Sequence, residues 1–158
     1  MPVPDFILTM RQKLGNDLIW MPGVSAVVLD DDGRVLLGQR ADNGRWGLIT
    51  GILDPGEEPA VGALREVAEE TGVVARVEHL ASISAGDPVT FPNGDHAQFL
   101  DLTFRCRYVS GEARVGDDES LAVGWFAVDD LPESVPPHQR WRLRTALEAT
   151  GVPVFARD

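Results

Sequence analysis

Cysteine is almost absent from this sequence. Cys106 is the only one among 158 residues, so no disulfide can form within the chain. Chains without disulfides are typical of reducing compartments, and we therefore expect a cytoplasmic location. The sequence also lacks a long apolar run, and its N-terminus lacks a basic segment followed by an apolar stretch. It accordingly predicts neither a membrane span nor a signal peptide.

Positive charge is scarce. There are 14 lysines and arginines against 25 aspartates and glutamates, which gives a formal net charge of -11. No basic run stands out, and this argues against binding long nucleic acid through its phosphates. A small anionic substrate remains compatible with the composition, because a bound metal ion would reverse the sign of the local field.

The length and composition favour one folded domain over residues 1–158, with a hydrophobic fraction of 44% that is sufficient for a core. Hydrophobic periodicity predicts mixed α and β elements, which alone indicates only an α+β or α/β fold. The predicted elements are helices near 4–14 and 140–149, and strands near 24–29, 34–39, 47–53, 74–84, 99–109 and 121–128.

The clearest element is a helix that begins near Pro59 and ends at Gly72. Proline suits the first turn of a helix, and glycine is a common residue just past its end. Residues with a period of about 3.6 form an apolar stripe that we expect to pack on a sheet, leaving the glutamates of this helix facing outward to solvent. The stripe consists of Ala60, Ala63, Leu64, Val67 and Thr71.

Three glutamates of this helix, Glu66, Glu69 and Glu70, share one face. Like charges at these spacings destabilise an isolated helix, and no lysine in the helix offsets them, so a cation is expected nearby. The alternative is a solvated acidic face on which Arg65 pairs with Glu69. A tight turn at residues 54–57 precedes the helix, and its oxygen atoms with the glutamates suit Mg²⁺ or Mn²⁺. The absence of histidine and cysteine from this run argues against zinc.

The run from Gly51 to Val73 resembles the signature of the Nudix (MutT-like) hydrolases, G-x5-E-x7-R-E-U-x-E-E-x-G-U, where U is aliphatic. Arg40, Trp46 and Gly47 before the run also resemble the family's layout. Every fixed position of the signature matches, namely Gly51, Glu57, Arg65, Glu66, Val67, Glu69, Glu70, Gly72 and Val73.

The resemblance implies the Nudix fold, an α/β/α sandwich with a mixed β-sheet, in which residues 51–73 form the loop-helix-loop called the Nudix box. Residues 1–16 would then be an N-terminal helical extension. Family members hydrolyse the pyrophosphate linkage of a nucleoside diphosphate joined to another group, using a divalent metal. Many members are dimers, so a homodimer is also expected.

The resemblance assigns a role to each acidic position. Glu69 and Glu70 would be the principal metal ligands, and Glu66 a further ligand or the general base. Glu57 would complete or order the metal cluster. Arg65 would hold the glutamates through charge-assisted hydrogen bonds.

Two further metal ligands are expected outside the signature. In some relatives the residue before the first glycine of the signature supplies its backbone carbonyl; here that residue is Thr50, where many members have glycine. A loop acid is the other, and Glu119 in the run 116–120 is the first candidate, as ligand or base, with Asp118 next. The alternative for this run is an exposed acidic turn.

The substrate is less well indicated. Trp46 and Phe91 could stack on a nucleobase, although isolated aromatic residues at strand ends more often belong to the core. Arg40 and Gly51 complete the substrate-binding candidates. Pro88 stands fifteen residues after the signature, which resembles the ADP-ribose pyrophosphatases. The substrate is therefore expected to be a nucleotide sugar such as ADP-ribose or a nucleoside triphosphate; the alternative is a non-catalytic Nudix-fold module that binds or senses a nucleotide.

Overall fold

The computed structural model describes residues 3–148 and 150–155. Within these ranges the chain forms three helices and nine strands. In chain order they are α1 (Asp5–Leu14), β1 (Ile19–Leu29), β2 (Val35–Arg40), β3 (Trp46–Gly47), β4 (Ile49–Ile52), α2 (Pro59–Thr71), β5 (Val74–Ala85), β6 (Val89–Thr90), β7 (His96–Ser110), β8 (Ser120–Phe126), α3 (Pro137–Leu147) and β9 (Val154–Phe155).

The strands form one mixed sheet around β1. This strand runs parallel to β7 along its whole length, antiparallel to β4 near its middle, and antiparallel to β2 at its end, where Leu29 pairs with Val35. The sheet order is β3-β2-β1-β7-β5-β9, while β8 pairs with β2 and β6 with β7. Because β1 changes partner from β4 to β2, those two strands separate, and the pocket described below lies between them.

Helices cover both faces of the sheet. Alternate residues of β1 point to opposite faces. Val24 and Val28 pack in a core cluster with Val67 of α2, whereas Val27 packs in a second cluster with Leu143 of α3. The α/β/α sandwich with a mixed sheet, as the resemblance implied, is therefore confirmed.

The N-terminal helix α1 packs at one end of the sheet. Ile7 is buried in a third cluster with Ile19 and Met21 of β1. The guanidinium of Arg11 donates hydrogen bonds to the backbone carbonyls of Asp17 and His96, at 2.7 and 2.8 Å. These contacts tie the predicted extension to the sheet. Of residues 1–16, Met1 and Pro2 lie outside the described residues.

Several element boundaries differ from the prediction. The predicted strand 47–53 is two short strands, and β1 begins five residues earlier than predicted. Helix α3 spans Pro137–Leu147 rather than 140–149, and Ala149 lies outside the described residues. The two-residue strands β6 and β9 are too short to show a periodicity. Among the described helices, none has the length and apolar character needed to cross a membrane.

Candidate active site

The turn before α2 fixes the first acidic side chain of the site. The backbone N–H of Glu57 donates to the carbonyl of Asp54 at 3.0 Å, and the Asp54 N–H donates back to Glu57 Oε2 at 3.1 Å. Gly56 has a φ of 85°, a left-handed conformation that favours glycine. The turn therefore places the Glu57 carboxylate at the start of α2, facing the helix.

Arg65 holds three carboxylates together. Its Nε and Nη2 donate to the two oxygens of Glu57, at 2.8 and 2.9 Å, in a bidentate pair. Its Nη1 donates to Glu66 Oε1 at 2.8 Å and to Glu69 Oε2 at 3.3 Å. The carboxylates of Glu57, foremost, and Glu66 raise the pKa of Arg65 further above its usual range. The alternative from the sequence was that Arg65 and Glu69 form a surface ion pair. They are in contact, but this contact is one part of a larger hydrogen-bonded network.

The expectation that the glutamates of α2 face outward is wrong for two of the three. The residues Glu66 and Glu70 are only 4% and 8% exposed, and only Glu69, with 45% of its side chain exposed, faces solvent. Gly62, Glu66 and Glu70 are spaced four apart, so they form a row beside the apolar stripe, and all three are buried. The acidic row therefore lies against the edge of the sheet.

Gly51 of β4 is what allows Glu66 to lie there. A Cβ atom on residue 51 would overlap the side chain of Glu66. The first glycine of the signature is thus required by the close approach of α2, and not by an unusual backbone conformation. In the same way Gly62 of α2 approaches Leu53 and Glu57, which makes it a close packing position.

A pocket lies between β2 and β4 and brings several predicted residues together. It encloses about 290 Å³, including its open mouth. Thr50, Glu70, Glu119 and Arg40, all predicted from the sequence, line it. The full lining is Gly38, Arg40, Leu48, Thr50, Glu70, Glu119 and Ser120.

Gly38 and Ser120 are pocket residues that the sequence did not indicate. A Cβ on Gly38 would lie 3.2 Å from Ser120 Oγ and 4.0 Å from Glu70 Oε2, so this glycine keeps the pocket floor open. Both residues reach the site through the pairing of β2 with β8, in which Arg40 pairs with Ser120. The register between two strands depends on residues that are far apart in the sequence, so no local motif predicts which residues it brings into the pocket.

The loop that carries Glu119 is attached to α2. Gly116 N–H donates to the Glu70 carbonyl at 2.9 Å, and a Cβ on Gly116 would overlap the Glu69 backbone carbonyl. Glu119 N–H donates to Asp117 Oδ1 at 3.0 Å, and the Glu119 carbonyl accepts from Ala41 N–H at 2.7 Å. The loop is therefore docked on the end of the acidic helix.

Ionisation of the acidic side chains is disfavoured in the pocket. Burial, together with the nearby carboxylates of Glu66 and Asp117, raises the pKa of Glu70 to about 8, while Arg40 acts in the opposite direction. Burial also raises the pKa of Glu66, against the lowering effect of Arg65.

The donor set of the site consists of oxygen atoms. Among residues 3–148 and 150–155, no group of three histidine, cysteine, aspartate or glutamate side chains already converges into a metal cluster. Buried carboxylates, a backbone carbonyl and a loop acid are nevertheless the ligands that a hard divalent cation prefers. A cation would also relieve the repulsion between Glu66 and Glu70, so the residues present fit Mg²⁺ or Mn²⁺.

Three substrate-binding candidates have other contacts. Trp46 packs edge-on against Phe126, with ring centroids 4.8 Å apart, and Phe91 packs in the cluster beneath α1. Neither of these aromatic residues lines the pocket, and their contact with a nucleobase stays a prediction. Arg40 does line it, and its guanidinium makes a bidentate pair with Asp42 at 2.9 and 2.7 Å.

Comparison with known proteins agrees with this geometry. A family model described as the NUDIX domain matches residues 20–147. A MutT-like protein of Streptomyces ambofaciens is 36% identical over 151 residues, which cover 96% of this chain and 92% of the relative. An RNA pyrophosphohydrolase of Caulobacter vibrioides is 35% identical over 136 residues, covering 75% of this chain and 78% of the relative. The crystal structure of a MutT Nudix hydrolase from Burkholderia pseudomallei is 31% identical and superposes with a TM-score of 0.67 over 80% of this chain and 98% of that one.

Proposed function

This chain belongs to the Nudix hydrolase family, whose members act on nucleoside diphosphate derivatives, and we propose that it cleaves the pyrophosphate linkage of a small nucleotide with the help of Mg²⁺ or Mn²⁺. The observation that carries the proposal is the placement of four signature carboxylates. Arg65 holds Glu57, Glu66 and Glu69 by hydrogen bonds, and Glu70 is buried beside them in the pocket.

The proposal assigns the cation to the acidic end of the pocket. Glu69 and Glu70 would be its principal ligands, Glu66 a further ligand or the general base, and Glu57 the residue that orders the cluster. The backbone carbonyl of Thr50 and the carboxylate of Glu119 complete the proposed set, since both residues line the pocket with Glu70. When bound, the cation would neutralise charge on the phosphoryl oxygens and orient the attacking water.

Two arginines, Arg65 and Arg40, have separate roles in the proposed site. Arg65 donates to three carboxylates, so we assign it the task of positioning them and not of contacting substrate. Arg40 is the cationic side chain of the pocket lining, and a phosphate group is the natural partner for its guanidinium. Because a guanidinium and acidic side chains line the pocket together, it suits phosphates held with a cation, and the rest of the nucleotide would lie outside it.

A substrate panel with Mg²⁺ or Mn²⁺ tests the proposal. It should contain ADP-ribose and the common nucleoside triphosphates, with products identified by chromatography. AMP with ribose 5-phosphate would identify a nucleotide-sugar hydrolase, whereas a nucleoside monophosphate with pyrophosphate would identify a triphosphate hydrolase. If no compound is hydrolysed while one of them binds, the chain is instead the non-catalytic nucleotide-binding module considered above.

The Caulobacter vibrioides relative favours a second candidate, removal of pyrophosphate from the 5′ end of RNA. The net charge of -11 disfavours extended contacts with an RNA backbone, but this reaction needs only the 5′ triphosphate. A 5′-triphosphorylated oligonucleotide and the matching nucleoside triphosphate should be compared at equal concentration. A much larger kcat/KM for the oligonucleotide would replace the small-nucleotide proposal.

We also propose, from the sequence, that residues 1–158 act as one domain, that the protein is cytoplasmic, and that it forms a homodimer. Cell fractionation tests the location, and light scattering after gel filtration tests the oligomeric state. Limited proteolysis that releases a stable fragment lacking α1 would contradict the single-domain proposal.

A further inference from the structure

A buried polar network lies on the face of the sheet opposite α2, outside the acidic site. Ser25 Oγ and Thr103 Oγ1 donate to the two carboxylate oxygens of Asp101, each at 2.8 Å. Arg142 of α3 approaches the same group, with its Nε 3.3 Å from Asp101 Oδ1 and its Nη1 donating to Ser25 Oγ at 3.2 Å. Asp101 and Arg142 are only 4% and 9% exposed.

The network lies next to the pocket between β2 and β4, which we propose for the phosphates of the substrate. Ser25 lies between Val24 and Ala26, which pack toward α2, so its own side chain points to the α3 face. Its cross-strand partner on β4 is Thr50, which lines the pocket. Directly paired residues point to the same face, so the Thr50 side chain also points there. A substrate whose phosphates occupy the pocket can therefore extend over this face, toward Arg142.

Arg142 has a donor that the protein does not use. Its Nε is buried, and no hydrogen-bond acceptor meets it among the described residues. Both carboxylate oxygens of Asp101 already accept hydroxyl protons, and the Nε–Oδ1 contact lacks hydrogen-bond geometry. A buried ion pair without good hydrogen-bond geometry adds little to the stability of the fold, and an apolar pair of similar volume is often as stable. The arrangement is better explained by an acceptor that arrives with a ligand.

The surroundings of Arg142 are partly open. His138, on the preceding turn of α3, is exposed, as is Asp87 in the loop after β5. Burial lowers the pKa of His138 and Arg142 lowers it further, while Asp101 and Asp87 raise it, so these three charged groups lie near His138. Two exposed groups, at the start of α3 and in the loop at residues 86–88, thus lie beside the buried network.

We propose that Arg142 is a substrate-contacting residue that determines specificity: its guanidinium donates to a hydrogen-bond acceptor on the part of the nucleotide that extends beyond the cleaved pyrophosphate. Asp101 and Ser25 position the guanidinium. The acceptor is an oxygen or nitrogen of the base or sugar, or an oxygen of a terminal phosphate. This inference rests on the proposed pyrophosphohydrolase function.

The test measures kcat and KM for the wild type, Arg142→Met and Arg142→Lys on GTP, ATP, ADP-ribose and inorganic tripolyphosphate. Loss of a charge-assisted hydrogen bond should raise KM about tenfold, with kcat changed less than about threefold. If KM rises only for GTP, ATP or ADP-ribose, the acceptor for Arg142 lies on the base or sugar. If KM also rises for tripolyphosphate, the acceptor lies on a phosphate. Unchanged KM values on every probe would overturn the inference.

Two controls separate this role from a structural one. Asp101→Leu/Arg142→Met removes both buried charges together, so it should fold even if Arg142→Met does not, and it should show the same rise in KM. Arg105→Met removes another arginine that contacts α3, since Arg105 Nη1 donates to the Ala146 carbonyl at 2.8 Å. That variant should lose stability without a change in KM, and an equal rise in KM there would also overturn the inference.

The experiments can reject the role of Arg142 without rejecting the proposed function. If the wild type hydrolyses a panel member and Arg142→Lys has the same KM, the function stands and the role of Arg142 is rejected. If the wild type hydrolyses none of them, calorimetric binding of GTP and ADP-ribose to the wild type and Arg142→Lys replaces the kinetics. Equal dissociation constants would then reject the role of Arg142 independently of catalysis.

Discussion

The side chain of Glu66 lies directly over Gly51, in the space that a Cβ on residue 51 would occupy. Glu66 belongs to α2 and Gly51 to β4, so this contact sets how closely the acidic helix approaches the sheet. The contact also explains why a buried glutamate and a glycine recur together in the signature. Any side chain at position 51 has to displace either the carboxylate or the helix.

Gly51→Ala should therefore disable the site while leaving most of the fold. The added methyl group moves Glu66 away from the pocket, and misplacement of a catalytic group by about 1 Å can lower the rate by about 100-fold. Steady-state kinetics with the best substrate of the panel, together with circular dichroism, measures the effect. Gly86→Ala is the matched control, because nothing lies within 4 Å of its added Cβ. Equal activity of the two variants would show that the Gly51–Glu66 contact is unimportant.

Arg65→Met should lower stability as well as activity. The substitution leaves the Glu57 and Glu66 carboxylates without their guanidinium donors, and Glu66 is buried. Removing one partner from such a network costs about 3 kcal/mol of unfolding free energy, measurable by urea denaturation. Arg76→Met, at an exposed arginine whose partner Glu78 keeps two other arginines, should cost less than about 1 kcal/mol. A loss at position 65 no larger than at position 76 would contradict the role of Arg65 in holding the carboxylates.

Glu69→Gln should keep the fold and remove most activity. The side chain is 45% exposed and nearly isosteric with glutamine, so the melting temperature should change little. Loss of a ligand carboxylate should weaken metal affinity at least as much as loss of an outer-shell partner, which costs about 10- to 100-fold, and a Mg²⁺ titration of turnover would show it. Glu58→Gln, an exposed residue preceding the same helix, serves as control. Near-normal turnover of Glu69→Gln at saturating Mg²⁺ would rule out Glu69 as a metal ligand.

Mg²⁺ should raise the melting temperature of the wild type if the site is preformed. A ligand at 100 times its dissociation constant stabilises the folded state by about 2.7 kcal/mol. Glu70→Gln replaces a buried carboxyl group whose ionisation is disfavoured without metal, so it should then be at least as stable as the wild type, yet gain little from Mg²⁺. Differential scanning fluorimetry with and without Mg²⁺ measures both. Equal Mg²⁺ shifts in the two proteins would exclude Glu70 as a ligand, and no shift in the wild type would indicate that metal arrives with substrate.

Much of the acidic helix could be predicted from the sequence because its signals are local. Pro59 and Gly72 set its ends, and Gly72 adopts the left-handed conformation expected of a helix C-cap, with a φ of 68°. The spacing of four residues between Arg65 and Glu69 places them within reach of one another on any helix. These relations depend on residues within about one or two turns, which the sequence displays directly.

Only the tertiary structure decided whether the acidic face of α2 points to solvent or to the sheet. The sequence predicted solvent-facing glutamates because the apolar stripe of the helix was expected to face the sheet, but Gly51 on another element provides the space in which Glu66 is buried. Ser120 reaches the pocket only through the register of β2 with β8, and Asp101 meets Arg142 across 41 positions of sequence. The resemblance of residues 51–73 to the signature indicated the family and its carboxylates, whereas the pocket and the network behind it depend on strand pairing and helix packing between distant segments, which no local pattern encodes.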